Sequence, residues 1–173
     1  YRRHMRALWN HAIRREICNR NPFADTAPAR EPMQRKKTVD STDLEKVIKV
    51  LCGNNQRGHN VRPAWFWAIV IKTFYYTGIR RRQLTELKWK DINLDDATIH
   101  LRATSSKTHR EWLIPIAPAL LAELENLLLL TTDRITRAPQ GEEQVFNVTL
   151  FHHRFKGSTM TVDQLTGTFE RLS

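Results

Sequence analysis

Three consecutive arginines, Arg80, Arg81 and Arg82, stand directly after Thr77-Gly78-Ile79, and a lysine sits further on in the polar run Ser105-Ser106-Lys107-Thr108-His109-Arg110. Glycine accommodates the left-handed conformation that ends a helix. An apolar helix running into Thr77-Gly78 is therefore expected to stop there, and a second helix to open at the arginines. Such a turn fixes where Arg80 points. A guanidinium held between two packed helices loses little further entropy when it meets a phosphate, and its planar fork can bind two non-bridging oxygens at once. That arrangement is a phosphate clamp. The competing reading is a surface ion pair between Arg80 and Glu86. Arg81 and Arg82 are expected to be solvated or to touch a nucleic-acid backbone.

Other reactive residue types are less well placed. Cys18 and Cys52 form no CxxC pair and no cluster with histidine at metal-ligand spacing, so neither a zinc site nor a disulfide framework is expected. His152-His153-Arg154 lacks a third ligand and reads as a surface or DNA-proximal cluster. No metal and no small-molecule cofactor is expected.

Charge narrows the class of partner. The 173 residues hold 28 Lys+Arg against 18 Asp+Glu, a net charge of +10. The first 37 residues carry ten Lys/Arg against Glu16, Asp25 and Glu31, so +7 of that excess lies at one end. Nucleic acid is the economical partner for this asymmetry, a solvated basic face being the alternative. No stretch reaches the apolar length of a membrane span, and no signal peptide is visible, which fits a reducing cytoplasm. The chain starts at Tyr1 rather than Met and its last helix breaks off at Ser173, so it reads as a piece of a longer protein.

The elements that must position the arginines follow from periodicity. Residues 1–17 place Met5, Leu8, Trp9, Ala12, Ile13 and Ile17 at helical spacing, with Arg2, Arg3, Arg6, Arg14 and Arg15 mostly on the other face. Asn19 to Thr38, with Pro22, Pro28, Pro32 and the run Arg35-Lys36-Lys37, reads as an extended basic linker. The capping box Thr42-Asp43-Leu44-Glu45 opens a helix that ends near Gly53. Pro63 suits the first turn of the next helix, Ala64 to Tyr76, which is apolar almost all round and so is expected to be central and buried, with Tyr75 and Tyr76 as core aromatics. Trp89-Lys90-Asp91-Ile92 reads as a short strand, followed by a hairpin over 97–115 whose strands include Thr98–Arg102 and Glu111–Ile114, with Lys107 and Arg110 at its exposed tip. Pro118 starts a leucine-rich helix, 131–143 reads as a surface loop, Val145–Phe151 is β-prone, and Val162, Leu165 and Phe169 mark a final helix. The whole is mainly α with a small three-stranded antiparallel β-sheet.

Thr77-Gly78-Ile79-Arg80, then Leu84, Glu86-Leu87, Trp89 and Asp91-Ile92, with Ser105-Ser106-Lys107-Thr108 and Ile114-Pro115-Ile116 downstream, resembles the first half of the catalytic domain of the tyrosine recombinase (phage integrase) family. The likeness runs over nearly the whole chain in the family's order. It implies three regions: 1–18 as the C-terminal helix of a core-binding (arm) domain, 19–40 as a basic interdomain linker, and 41–173 as the N-terminal portion of the catalytic domain. It implies that Arg80 binds the scissile phosphate and that Lys107 protonates the departing 5′ oxygen, a plain phosphate contact being the alternative for Lys107. Arg2, Arg3, Arg6, Arg35, Lys36, Lys37, Arg81, Arg82 and Arg110 become the expected DNA contacts.

The resemblance also marks departures. Where many members carry an acid three positions after the first arginine, this chain has Gln83, which can accept a hydrogen bond but supplies no charge. His11-x-x-Arg14 and His59-x-x-Arg62 fit the bare pattern of a later catalytic box but precede Arg80, so they are decoys. The tyrosines are Tyr1, Tyr75 and Tyr76, none where the family places its nucleophile. The implied function is therefore the DNA-binding portion of a site-specific recombinase that would cleave and rejoin strands through a 3′-phosphotyrosine. The alternative is a truncated, non-catalytic DNA-binding or interaction module derived from one. Double-stranded DNA is the implied partner, with self-association of the intact protein on DNA and a cytoplasmic, nucleoid-associated location.

Overall fold

The computed structural model describes residues 1–27, 38–53, 61–105, 110–152 and 159–172. The chain falls into two compact units, Tyr1–Thr38 and Val39–Ser173.

In the first unit, α1 spans Arg2–Arg14. It stops short of residue 17 because Glu16 turns left-handed, with φ 57°. Ile17 N then donates to Ala12 O, and Glu16 N to Ile13 O, each at 3.0 Å. This is a Schellman closure with glutamate where glycine is usual. The segment that follows is folded rather than extended. Asn21 is buried and donates from Nδ2 to Arg6 O at 3.1 Å and to Asn10 Oδ1 at 2.6 Å. Phe23 stacks edge-on against Trp9, with ring centroids 5.5 Å apart. A side-chain amide and one aromatic pair thus bind the start of the expected linker to the helix.

The second unit is built on α3, Ala64–Thr77, whose Phe66, Trp67, Ala68, Ile69, Val70 and Thr73 are all buried. A helix apolar on nearly every face must be covered on every side. Around it, α2 (Ser41–Cys52), α5 (Pro118–Ile135) and α6 (Val162–Leu172) contribute Leu51, Leu120, Leu124, Leu127 and Leu165 to one core. Phe66 meets Phe146 at 6.4 Å between centroids, and Trp67 meets Phe169 at 6.5 Å. α2 is capped two residues earlier than its sequence suggests. Asp40 Oδ1 accepts from Asp43 N at 2.8 Å and from the Thr42 hydroxyl at 2.6 Å, which spends Thr42 as a partner instead of the cap. Pro63 likewise sits at the N-cap, one residue before the helix.

Three further expectations are corrected. Trp89–Asp91 forms a 3-10 turn rather than a strand, and only Ile92–Asn93 pairs, as β1. The cause is a side chain: Asp91 Oδ2 accepts from Lys88 N at 3.0 Å, closing a turn that a strand could not make. α5 runs on to Ile135 before the loop begins. The 145–151 run forms no strand. Val145 N bonds to Leu87 O at 3.0 Å, and Val148–Leu150 then coils into a 3-10 turn, capped by Asn147 Oδ1 accepting from Thr149 N.

The small sheet is antiparallel in the order β1-β2-β3, with β2 at Thr98–Leu101 and β3 at Trp112–Pro115. Its register sets Ile92 opposite Ile99, and Ile99 opposite Ile114. Among the described residues, no helix is long and apolar enough to cross a membrane, and no group of three or more His, Cys, Asp or Glu could hold a metal ion.

Candidate nucleic-acid interface

Gly78 ends α3 at φ 63° and ψ 15°, and its N–H donates to Phe74 O at 2.9 Å. Only two residues separate this turn from α4, Arg81–Thr85, for which Arg80 is the N-cap. Arginine carries no acceptor and cannot cap with its side chain. Gln83 supplies the missing half: its Oε1 accepts from Arg80 N at 2.8 Å, and the amide is buried. Gln83 therefore holds the Arg80 backbone although it carries no charge. Ile79 and Leu84, both buried, anchor the turn on either side of the arginine.

Arg80 is left exposed, and among the described residues its guanidinium makes no hydrogen bond or ion pair. The ion pair to Glu86 goes to Arg82 instead. Arg82 Nε meets Glu86 Oε1 at 2.6 Å, because residues four apart on a helix share a face whereas residues six apart do not. That contact raises the affinity of Arg82 for its proton further. Arg81 Nη1 donates to Thr166 Oγ1 on α6 at 3.0 Å. Of the three arginines, the one at the cap is thus free to take an anion.

Tyr75 and Tyr76 are not core aromatics. They are 36% and 39% exposed and stack edge-on against each other at 5.1 Å. In the same last turn of α3, Phe74 packs against Phe169 of α6 at 5.7 Å, so the two tyrosines lie on the uncovered side of the helix end.

Arg3 and Arg6 are exposed on α1, and Arg2 is half-buried. Arg110 is exposed just before β3. Lys107, Arg35, Lys36 and Lys37 lie outside the described residues, as do His59, His153 and Arg154.

Sequence reasoning missed a buried pair behind the arginine helix. Asp91, 4% exposed at its side chain, meets Arg102 Nη2 at 2.9 Å, and the same nitrogen donates to Glu86 O at 2.8 Å. An acid in a short turn three residues after Lys88 is a recognisable capping signal, but its cation lies just past the end of β2 and carries no local signature.

A cavity of about 570 Å³ opens at the C-terminal end of α4, lined by Glu86, Lys88, Trp89, Arg137, Glu142 and Gln144 among others, and Arg80 is not part of its wall. The charges there are already paired, Lys88 with Glu142 at 2.5 Å and Arg137 with Glu143 at 2.6 Å. Glu142, gripped first by Lys88 and then by Lys90, has its carboxyl held down at about 2. A closed set of ion pairs has nothing left to offer a phosphate chain, whereas the open arginine surface does.

Residues 37–173 match the family model of the phage integrase family. A putative tyrosine recombinase XerC of Pseudomonas aeruginosa is 31% identical over 185 residues, covering 100% of this chain and 42% of that protein. The prophage integrase IntZ of Escherichia coli K12 is 24% identical over 174 residues, covering 99% of this chain and 38% of that protein. Among solved structures, the Tn1549 transposon integrase in complex with a circular intermediate DNA superposes with a TM-score of 0.69 at 16% identity, over 99% of this chain and 55% of that one. The XerA recombinase gives 0.55 at 14% identity, over 84% of this chain and 44% of that one. The chain spans about two fifths of the length of these curated relatives.

Proposed function

Because the chain belongs to the phage integrase family, we propose that it is the DNA-binding portion of a site-specific tyrosine recombinase and that Arg80 is its clamp on the scissile phosphate. The observation that carries this reading is the state of Arg80: an exposed guanidinium with no partner among the described residues, on a helix cap fixed by Gly78 and Gln83. A preorganised cation aimed at non-bridging phosphate oxygens stabilises the charge that builds up as the phosphorus becomes five-coordinate. Removing one such group typically costs about 10²- to 10³-fold in rate.

In this reading, residues 1–18 belong to an arm domain, 19–40 to the connection and 41–173 to the catalytic domain. Arg3 and Arg6, with Arg2, Arg35, Lys36, Lys37 and Arg110, contact the DNA backbone. Arg81 and Arg82 contribute only by exchanging their present partners. A tyrosine outside residues 1–173 attacks the phosphorus, the bond to the 5′ oxygen breaks, and Lys107 gives that oxygen its proton. An ammonium is a workable acid for this step, whereas a guanidinium holds its proton too tightly. No metal or nucleotide enters, and the energy of the broken bond is kept in the phosphotyrosine. The protein acts in the cytoplasm on nucleoid DNA and assembles with further copies on its site.

The test is cleavage of a nicked suicide substrate by the full-length protein. A covalent adduct that forms with wild type and is lost with Arg80→Ala supports the reading. An Arg80→Ala protein that cleaves at the wild-type rate contradicts it.

A further inference from the structure

We propose that Arg102 is a positioning residue that holds the β2–β3 hairpin in register with the helix presenting Arg80. The inference rests on the proposed function above and assigns a residue that the recombinase reading does not use.

Asp91 is buried at the end of the 3-10 turn, and a buried carboxylate needs a cation. Two lysines flank it in sequence, Lys88 and Lys90, yet both ammonium groups go outward to Glu142. Asp91 instead takes its cation from the end of β2. Arg102 Nη2 lies 2.9 Å from Asp91 Oδ2, and that oxygen also accepts from Lys88 N at 3.0 Å. The same guanidinium nitrogen donates to Glu86 O at 2.8 Å, and Glu86 is the C-cap of α4, whose N-cap is Arg80.

One nitrogen therefore ties together the arginine helix, the turn after it and the strand that leads into the hairpin. Arg102 directly follows β2 and opens the connection that, five residues later in sequence, contains Lys107. If the only need were to neutralise Asp91, a neighbouring lysine would serve. Recruiting the partner from the residue after β2 adds a distance constraint between the helix that presents the clamp and the strand end that opens the connection to the proton donor in sequence. Those groups act on oxygens of one phosphorus, and a misplacement of about 1 Å can cost about 10²-fold in rate.

The experiment uses the full-length protein and single-turnover cleavage of two suicide substrates, one with oxygen and one with sulfur at the bridging 5′ position. A thiolate leaves without a proton, so sulfur removes the need for a placed acid. Arg102→Met is expected to cleave the oxygen substrate about 10- to 10²-fold more slowly than wild type. It is expected to bind DNA within about 2-fold of wild type and to cleave the sulfur substrate within a few-fold of it. Asp91→Asn, which keeps an acceptor for Lys88 N, is expected to show the same rescue and covers the case in which Arg102→Met does not fold. A variant slowed equally on both substrates has lost structure only, and that result overturns the inference, as does wild-type cleavage of the oxygen substrate. A wild-type protein that forms no adduct with either substrate contradicts the proposed function itself.

Discussion

Arg82 Nε sits 2.6 Å from Glu86 Oε1, so the acid that follows the arginine helix is already engaged by a cation. The Arg80 guanidinium, with no partner among the described residues, is left available to a ligand. Glu86→Ala should therefore release Arg82, tighten non-specific DNA binding and steepen its salt dependence by about 0.9 in log–log slope. The gain should vanish in an Arg82→Ala background, because the two residues act as a pair. A gain that persists there would mean that Glu86 restrains Arg80 after all.

Gly78 has a positive φ of 63°, and a Cβ added there would meet nothing within 4 Å. The cost of Gly78→Ala is then purely that of left-handed backbone, about 1–2 kcal/mol. Asparagine tolerates this conformation better, so urea unfolding should rank Gly78 above Gly78→Asn above Gly78→Ala. Equal stability of the alanine variant and wild type would show that the turn is not held in this conformation.

Glu142 links the loop after α5 to Lys88 and Lys90, and its folded-state value of about 2 lies below the ordinary 4.5. A depressed carboxyl contributes stability that is complete above 4.5 and is lost as the pH falls towards 2. Wild type should exceed Glu142→Gln in stability at neutral pH, and the gap should close on acidification through that window. Because the group is solvent-facing, salt should also narrow the gap. Denaturant midpoints of both proteins across the window check this, and a gap that stays constant with pH rules out the ion pairs as its source.

Residues 1–173 alone should form no covalent link to DNA. Tyr75 and Tyr76 stack on each other at the end of α3, and among the described residues neither hydroxyl is hydrogen-bonded to a group that could activate an attack. Incubation with a suicide substrate followed by denaturing electrophoresis should show free protein only. An adduct mapped to either tyrosine would assign the nucleophile to α3.

Legibility varied with how local the cause of each feature was. The Gly78 stop, the buried Ala64–Thr77 helix and the β2–β3 hairpin are written in runs of neighbouring residues, and the sequence reading places them correctly. The place of Arg80 at a helix start was legible because Gly78, Ile79 and Arg80 run straight into α4. Where a side chain some residues away takes over a backbone group, pattern reading fails. Asp91 turns an apparent strand into a 3-10 turn, Asp40 displaces Thr42 as cap, and Asn21 folds back a segment that reads as linker. The Asp91–Arg102 pair was invisible for the same reason, since its partners meet only once β2 is in place. Tyr75 and Tyr76 were misassigned because helical periodicity says which residues are apolar but not which side of the helix end a neighbour covers.

Arg80 as a phosphate contact is tested most directly by the DNA affinity of the 173-residue chain measured against salt. Each phosphate neutralised by a side chain adds about 0.9 to the magnitude of the slope of log affinity against log salt. Arg80→Ala should flatten the slope by about that amount and weaken binding across DNA sequences alike, while Arg82→Ala, already paired with Glu86, should leave it nearly unchanged. An Arg80→Ala slope identical to wild type, or binding that does not respond to salt, would contradict the clamp.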